Sequence, residues 1–83
     1  MSDTTARNLE LYFMPTCPYC HKVIDWLDEH GITLSMRDIT TDADAARTLE
    51  EVGGKRQVPC LFIDGKPLYE SSDIIEWLDE HVA

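Results

Sequence analysis

Leu9 to Phe13 (Leu-Glu-Leu-Tyr-Phe) is a short apolar run suited to a buried strand, and it stops at Pro15, which has no N–H to give to a ladder. From Pro18 the period changes. Val23, Ile24, Trp26 and Leu27 recur at helical spacing, Pro18 suits a first helical turn, and Gly31 suits the position just past a helix end. The spacing predicts a helix over Pro18 to His30. Ile32, Leu34 and Met36 then alternate within a second strand, Ile32 to Ile39, and Thr40 to Val52 reads as a short helix ending at Gly53-Gly54. Strand, helix and strand make a βαβ unit, whose crossover is right-handed.

Val58 to Ile63 is another apolar run, Asp64-Gly65 is a two-residue hairpin signal, and Lys66 to Tyr69 is the return strand. Ser71, Ser72 and Asp73 offer caps for a last helix, with Asp73 and Glu76 in capping-box spacing and Ile74, Ile75, Leu78 and Val82 on one face. The order β-α-β-α-β-β-α predicts an α/β fold: a four-stranded mixed sheet with helices on both faces, the thioredoxin-like arrangement. Residues 1–8 are expected to be a flexible tail and 9–83 one domain, since 83 residues leave no room for a second core. One internal echo stands out. Residues 23–30 and 74–81 agree at six of eight positions, which fits two amphipathic helices presenting the same stripe to one sheet face. Trp26 and Trp77 then read as packing residues, and His30 and His81 as helix-end residues.

No stretch approaches the roughly 18 apolar residues of a membrane span, and Met1 to Asn8 lacks a signal peptide's apolar region, so a cytoplasmic location is expected. A net charge of -9 argues against binding a phosphate backbone, and nucleic acid is not an expected partner. The acids fall mainly on helix-like segments, as a solvated face or as a device steering basic protein substrates. Three cysteines are too few for a disulfide scaffold, so Cys17-Pro18-Tyr19-Cys20 reads as redox or metal chemistry.

Placed after a strand and at a helix start, Cys17 sits at the positive end of a helix dipole and is the candidate nucleophile. Cys20, one turn inside, is the candidate resolving thiol, able to attack a mixed disulfide on Cys17. Two other chemistries use the same residues. Cys17-x-x-Cys20-His21 matches a c-type haem attachment pattern, with Met14 or Met36 as axial partners, and Cys17, Cys20, His21 and Cys60 could be imagined around zinc. Haem attachment does not suit a strand-helix context, and the zinc set lacks a second ligand pair at the usual spacing, so no metal is expected. Cys60 itself reads as a structural strand residue.

Cys17-Pro18-Tyr19-Cys20, Val58-Pro59 and Ser72-Asp73, in this order, resemble a dithiol glutaredoxin from Leu9 to the C-terminus. The resemblance implies a cis Val58–Pro59 bond facing the dithiol and glutathione as reductant, bound by Tyr19, Gln57, Val58, Pro59, Ser71, Ser72 and Asp73. The Val58 backbone would pair with the cysteinyl part, and N–H groups at Ser71 and Ser72 would hold the γ-glutamyl carboxylate, with Asp73 or Glu70 near its amino group. The family usually carries Lys where Met14 stands, so Lys22, Arg37, Lys55 or Arg56 would supply the missing cation, the last three as glycine-carboxylate contacts. Gln57-Val58-Pro59 and the segment from Glu70 to Leu78 also resemble the glutathione-binding N-terminal domain of glutathione transferases.

The implied activity is reduction of protein disulfides through both cysteines and of glutathione mixed disulfides through Cys17 alone, by a monomer, with ribonucleotide reductase among the candidate protein substrates. Two alternatives stay open: a redoxin recharged by thioredoxin reductase, and a glutathione-ligated [2Fe-2S] carrier.

Overall fold

The computed structural model describes residues 8–82, so the expected tail lies outside the described residues except for Asn8. Seven elements follow in the order β1 (Leu9–Phe13), α1 (Pro18–Glu29), β2 (Ser35–Asp38), α2 (Ala43–Gly53), β3 (Cys60–Ile63), β4 (Lys66–Tyr69) and α3 (Ser71–His81). The sheet order is β2-β1-β3-β4, with β1 parallel to β2 and antiparallel to β3, and β3 antiparallel to β4. This is the thioredoxin-like mixed sheet that the order of elements implies. Asp64 (φ 51) and Gly65 (φ 86) form the hairpin turn, both left-handed as a tight two-residue connection between twisted strands requires. Asn8 is tied to that turn: its N–H donates to Asp64 Oδ1 (2.8 Å) and its carbonyl accepts from the Asp64 N–H (2.8 Å).

Period-two alternation in β1 and β3 sends side chains to two cores. Leu9, Leu11 and Leu61 meet Val23 and Leu27 of α1 and Ile74 and Leu78 of α3 on one face. Tyr12, Cys60 and Phe62 meet Ala45 and Leu49 of α2 and Ile39 on the other, with the Tyr12 and Phe62 ring centroids 4.6 Å apart. The two echoing segments do lie on one sheet face, and the likeness extends to detail. His30 stacks on Trp26 (4.0 Å) with Nδ1 at 2.8 Å from the Trp26 carbonyl; His81 stacks on Trp77 (4.4 Å) with Nδ1 at 2.9 Å from the Trp77 carbonyl. Both tryptophans are half-buried and pack against the first core.

Boundaries move where a local device outweighs periodicity. β2 starts at Ser35 and not at Ile32, because the Ile32 N–H closes the end of α1 on the Leu27 carbonyl (2.9 Å), leaving Ile32 and Leu34 packed on the first core. α2 starts at Ala43 and not at Thr40, because Asp42 caps it, accepting from the N–H groups of Asp44 and Ala45 (both 3.1 Å). β3 begins at Cys60, after the cis Val58–Pro59 bond, and not at Val58. The capping box at Asp73 and Glu76 does not form: α3 begins at Ser71, the N-cap is Glu70 without a side-chain cap bond, and Asp73 lies inside the first turn. Among the described residues no helix is long and apolar enough to cross a membrane.

Candidate redox site

Pro15 ends β1, and a tight turn closed by the Cys17 N–H on the Met14 carbonyl (3.1 Å) brings Cys17 to the N-cap of α1. Pro18 follows as the first helical residue, where no N–H is needed. The Cys17 side chain caps nothing; its Sγ points across to the Val58 carbonyl, 3.9 Å away and 41 positions on in sequence. Cys17 is half-buried and Cys20 has no exposed surface. Burial pushes the Cys20 thiol up to about 12, and the adjacent Cys17 sulfur adds to the rise while the Met14 backbone opposes it. The two sulfurs are therefore unequal: one can meet a substrate disulfide, and the other stays protonated behind it.

A groove of about 470 Å³ runs beside this turn, lined by Tyr19, Lys22, Gln57, Val58, Pro59, Glu70, Ser71 and Ser72. Six of the residues expected to bind glutathione thus come together from three separate segments. Ser71 is buried and Ser72 exposed at the start of α3, where the Ile74 N–H is the first to find its intrahelical acceptor, the Glu70 carbonyl (3.0 Å). The N–H groups of Ser71, Ser72 and Asp73 precede it in the first turn and have no intrahelical acceptor, and Ser71 and Ser72 line the groove. Glu70 holds φ 71 and ψ 133, a backbone conformation that favours glycine.

Other expected contacts are placed elsewhere. Asp73 is exposed and does not line the groove. Arg37 is held on β2 by Glu10 (3.3 Å) and Asp42 (3.2 Å) and lies over the Tyr12 ring. Lys55 lies over the Tyr69 ring with Nζ 4.6 Å from its centroid, and Arg56 lines a separate cavity beside α2. Lys22 is the groove's cation, 6.0 Å from the Tyr19 ring centroid; its i+3 spacing from Tyr19 along α1 is the sequence signal for that placement. Tyr69 is a residue that sequence reasoning did not reach. Its one hydroxyl proton is shared between the Gly53 (3.0 Å) and Lys55 (3.1 Å) carbonyls and anchors the loop that delivers Gln57 and Val58.

The zinc grouping does not assemble. Cys60 is buried in the α2-side core, where burial pushes its thiol up to about 11, and His21 turns Nε2 to the Pro15 carbonyl (2.5 Å). Among the described residues no three metal-ligating side chains converge.

An accessible cysteine at a helix N-cap, a buried partner one turn on and a groove alongside, on a thioredoxin-like fold, define a thiol-disulfide oxidoreductase. Residues 9–68 match the Glutaredoxin family, and Glutaredoxin 3 of Escherichia coli strain K12 is 33% identical over 69 residues, covering 81% of each chain. The chain belongs to the glutaredoxin family. Among solved structures, the thioredoxin-like protein BC3987 superposes with a TM-score of 0.74 at 27% identity, over 89% of this chain and 99% of that one. The likeness to glutathione transferases is also real: the trimeric Leishmania transferase TDR1 matches 88% of this chain at 25% identity and a TM-score of 0.73, using 16% of its own length.

Proposed function

We propose that this protein reduces disulfides with glutathione as the electron source, in a dithiol and a monothiol mode. The observation that carries the reading is the groove itself, which joins the Val58 backbone, the start of α3 and the Cys17 turn in one cavity. An extended glutathione laid along it pairs its cysteinyl backbone with Val58 and sets its γ-glutamyl carboxylate on the free N–H groups of α3, with Glu70 near the ammonium. Lys22 is the groove cation available to the glycine carboxylate.

In the dithiol mode the Cys17 thiolate attacks one sulfur of a protein disulfide, the S–S bond breaks, and the leaving thiolate takes a proton. Cys20 then loses its proton and attacks Cys17 Sγ, forming the Cys17–Cys20 disulfide and releasing the reduced protein. Cys20 has no exposed surface, so it reaches the substrate only through the mixed disulfide on Cys17. Two glutathione thiols return the dithiol and leave as glutathione disulfide. In the monothiol mode Cys17 accepts a glutathionyl group from a protein, and a second glutathione removes it as the same disulfide.

Cys17→Ser should abolish both modes. Cys20→Ser should abolish protein-disulfide reduction and keep deglutathionylation; loss of both activities in Cys20→Ser would defeat the monothiol mode. A second reading, recharge by thioredoxin reductase, is supported by the likeness to a thioredoxin-like protein and by Met14 in place of the family's lysine. Turnover with that reductase and NADPH but none with glutathione would favour it. We place the protein, as a monomer, in the reducing cytoplasm, where free Cys17, Cys20 and Cys60 are maintained. Its partners there are disulfide-bonded or glutathionylated proteins, with ribonucleotide reductase one candidate.

A further inference from the structure

A second concavity, about 510 Å³, opens between α1 and α3 and is contiguous with the redox groove, sharing Lys22, Ser71 and Ser72 with it. Asp25, Trp26 and Glu29 line it from α1, and Ile75, Glu76 and Asp79 line it from α3. The two triplets have the same i, i+1, i+4 offsets, and each helix offers one apolar residue and two carboxylates, Trp26 lying between Asp25 and Glu29 and Ile75 preceding Glu76 and Asp79. Trp26 and Ile75 are half-buried and packed on the first core, while the four acids are exposed. Among the described residues none of these four carboxylates has an ion-pair partner; the ion pairs that form belong to Arg37 and Arg47. Acidic residues that only keep a helix face solvated have no need to converge from two helices around an apolar floor. These do, and they do so next to the sulfur chemistry.

We propose that this cleft docks a basic segment of a disulfide-bearing protein substrate: two or more Lys or Arg side chains bracketing an apolar one, close in sequence to the target cysteine. The proposal rests on the reading of the site as a disulfide reductase. The apolar side chain covers Trp26 and Ile75, and the cations meet the two pairs of carboxylates. A chain whose cysteine engages Cys17 leaves the redox groove past Ser72 and Lys22 and enters the cleft directly. The net charge of -9 draws the same cations in from a distance and repels acidic competitors.

The test uses two peptides that each carry one internal disulfide and are identical around it, one followed by a Lys-Leu-Lys segment and the other by Glu-Leu-Glu. Wild type should process the basic peptide with kcat/KM at least about tenfold higher at low ionic strength, and the preference should collapse in high salt. In the quadruple variant D25N/E29Q/E76Q/D79N the preference should vanish while reduction of bis(2-hydroxyethyl) disulfide is unchanged. A preference that persists in the quadruple variant overturns the proposal. Glu76→Lys alone, a single exposed substitution, should weaken the basic peptide severalfold and the acidic one not at all; equal effects on the two would likewise overturn it. Calorimetric titration of the cysteine-free basic peptide into Cys17→Ser separates docking from chemistry. Heat that disappears in the quadruple variant supports docking even if no disulfide is reduced, an outcome that would sink the reductase reading alone. Normal turnover without any peptide binding sinks the docking surface alone.

Discussion

Replacing Gly53 with alanine should destabilise the protein, and the same replacement should become neutral or stabilising once the Tyr69 hydroxyl is gone. Gly53 is the last residue of α2, and its φ is an ordinary helical one, so alanine there should gain up to about 0.5–1 kcal/mol of helix propensity. Space decides otherwise. A Cβ on Gly53 would run into the Tyr69 hydroxyl oxygen, well inside contact distance, while the next ring atom is at an ordinary 3.4 Å. The ring must therefore retreat and give up the bond that its one hydroxyl proton shares between the Gly53 and Lys55 carbonyls, worth roughly 1 kcal/mol, in addition to an overpacking cost of about 1–3 kcal/mol. Set against the propensity gain, the net loss is about 2 kcal/mol, or a Tm lower by roughly 10 °C for a domain of this size. In Tyr69→Phe the clashing atom is absent, so Gly53→Ala in that background should cost nothing or add stability. Urea denaturation of the four proteins of this cycle gives the coupling directly. Because the Tyr69 hydroxyl anchors the loop carrying Gln57 and Val58, the KM for glutathione should rise in both Gly53→Ala and Tyr69→Phe. Gly53→Ala stabilising the wild-type background, or equal effects in the two backgrounds, would refute the reasoning.

Two further outcomes follow from the same geometry. The Cys20 and Cys60 thiols are raised to about 12 and about 11 from 9.0, so the stability gained by burying them neutral is complete below pH 9 and is lost as pH rises from there toward 12. Far-UV circular dichroism against pH should show the reduced protein unfolding in this window, with the Cys17–Cys20 disulfide form losing only the Cys60 share; identical alkaline profiles would contradict this. Glu70→Gly should raise stability by about 1 kcal/mol by relieving φ 71, and Glu70→Ala should not, while both raise the KM for glutathione by removing a groove carboxylate; equal stability changes in the two would exclude backbone strain as the cause.

The strands, helices and hairpin were readable because each rests on neighbours within a few positions: alternation in Leu9–Phe13, the Pro18 and Gly31 punctuation, the Asp64-Gly65 turn. The misplaced starts of α2 and β2 share a cause. Thr40 to Asp42 fits a helical pattern, but the Asp42 carboxylate takes the N–H groups of Asp44 and Ala45 and starts α2 one residue later than itself. Ile32 and Leu34 alternate as a strand should, yet the end of α1 claims the Ile32 N–H. In both places a hydrogen bond to one nearby group outweighed a pattern summed over several residues.

The cations divide the same way. Arg37, Lys55 and Arg56 were equivalent as charges in a sequence, and only packing shows that Glu10 and Asp42 hold the first, the Tyr69 ring carries the second and α2 borders the third. By itself the sequence determined the dithiol at a helix start and the order of elements around it, because a 3.6-residue period and a turn are local facts. The tertiary structure decided that Cys20 is sealed while Cys17 faces Val58 across 41 positions, and that two acidic helix faces close on one cleft beside them. Contacts between residues that far apart depend on how the strands order and the helices seat, and no spacing along the chain records that.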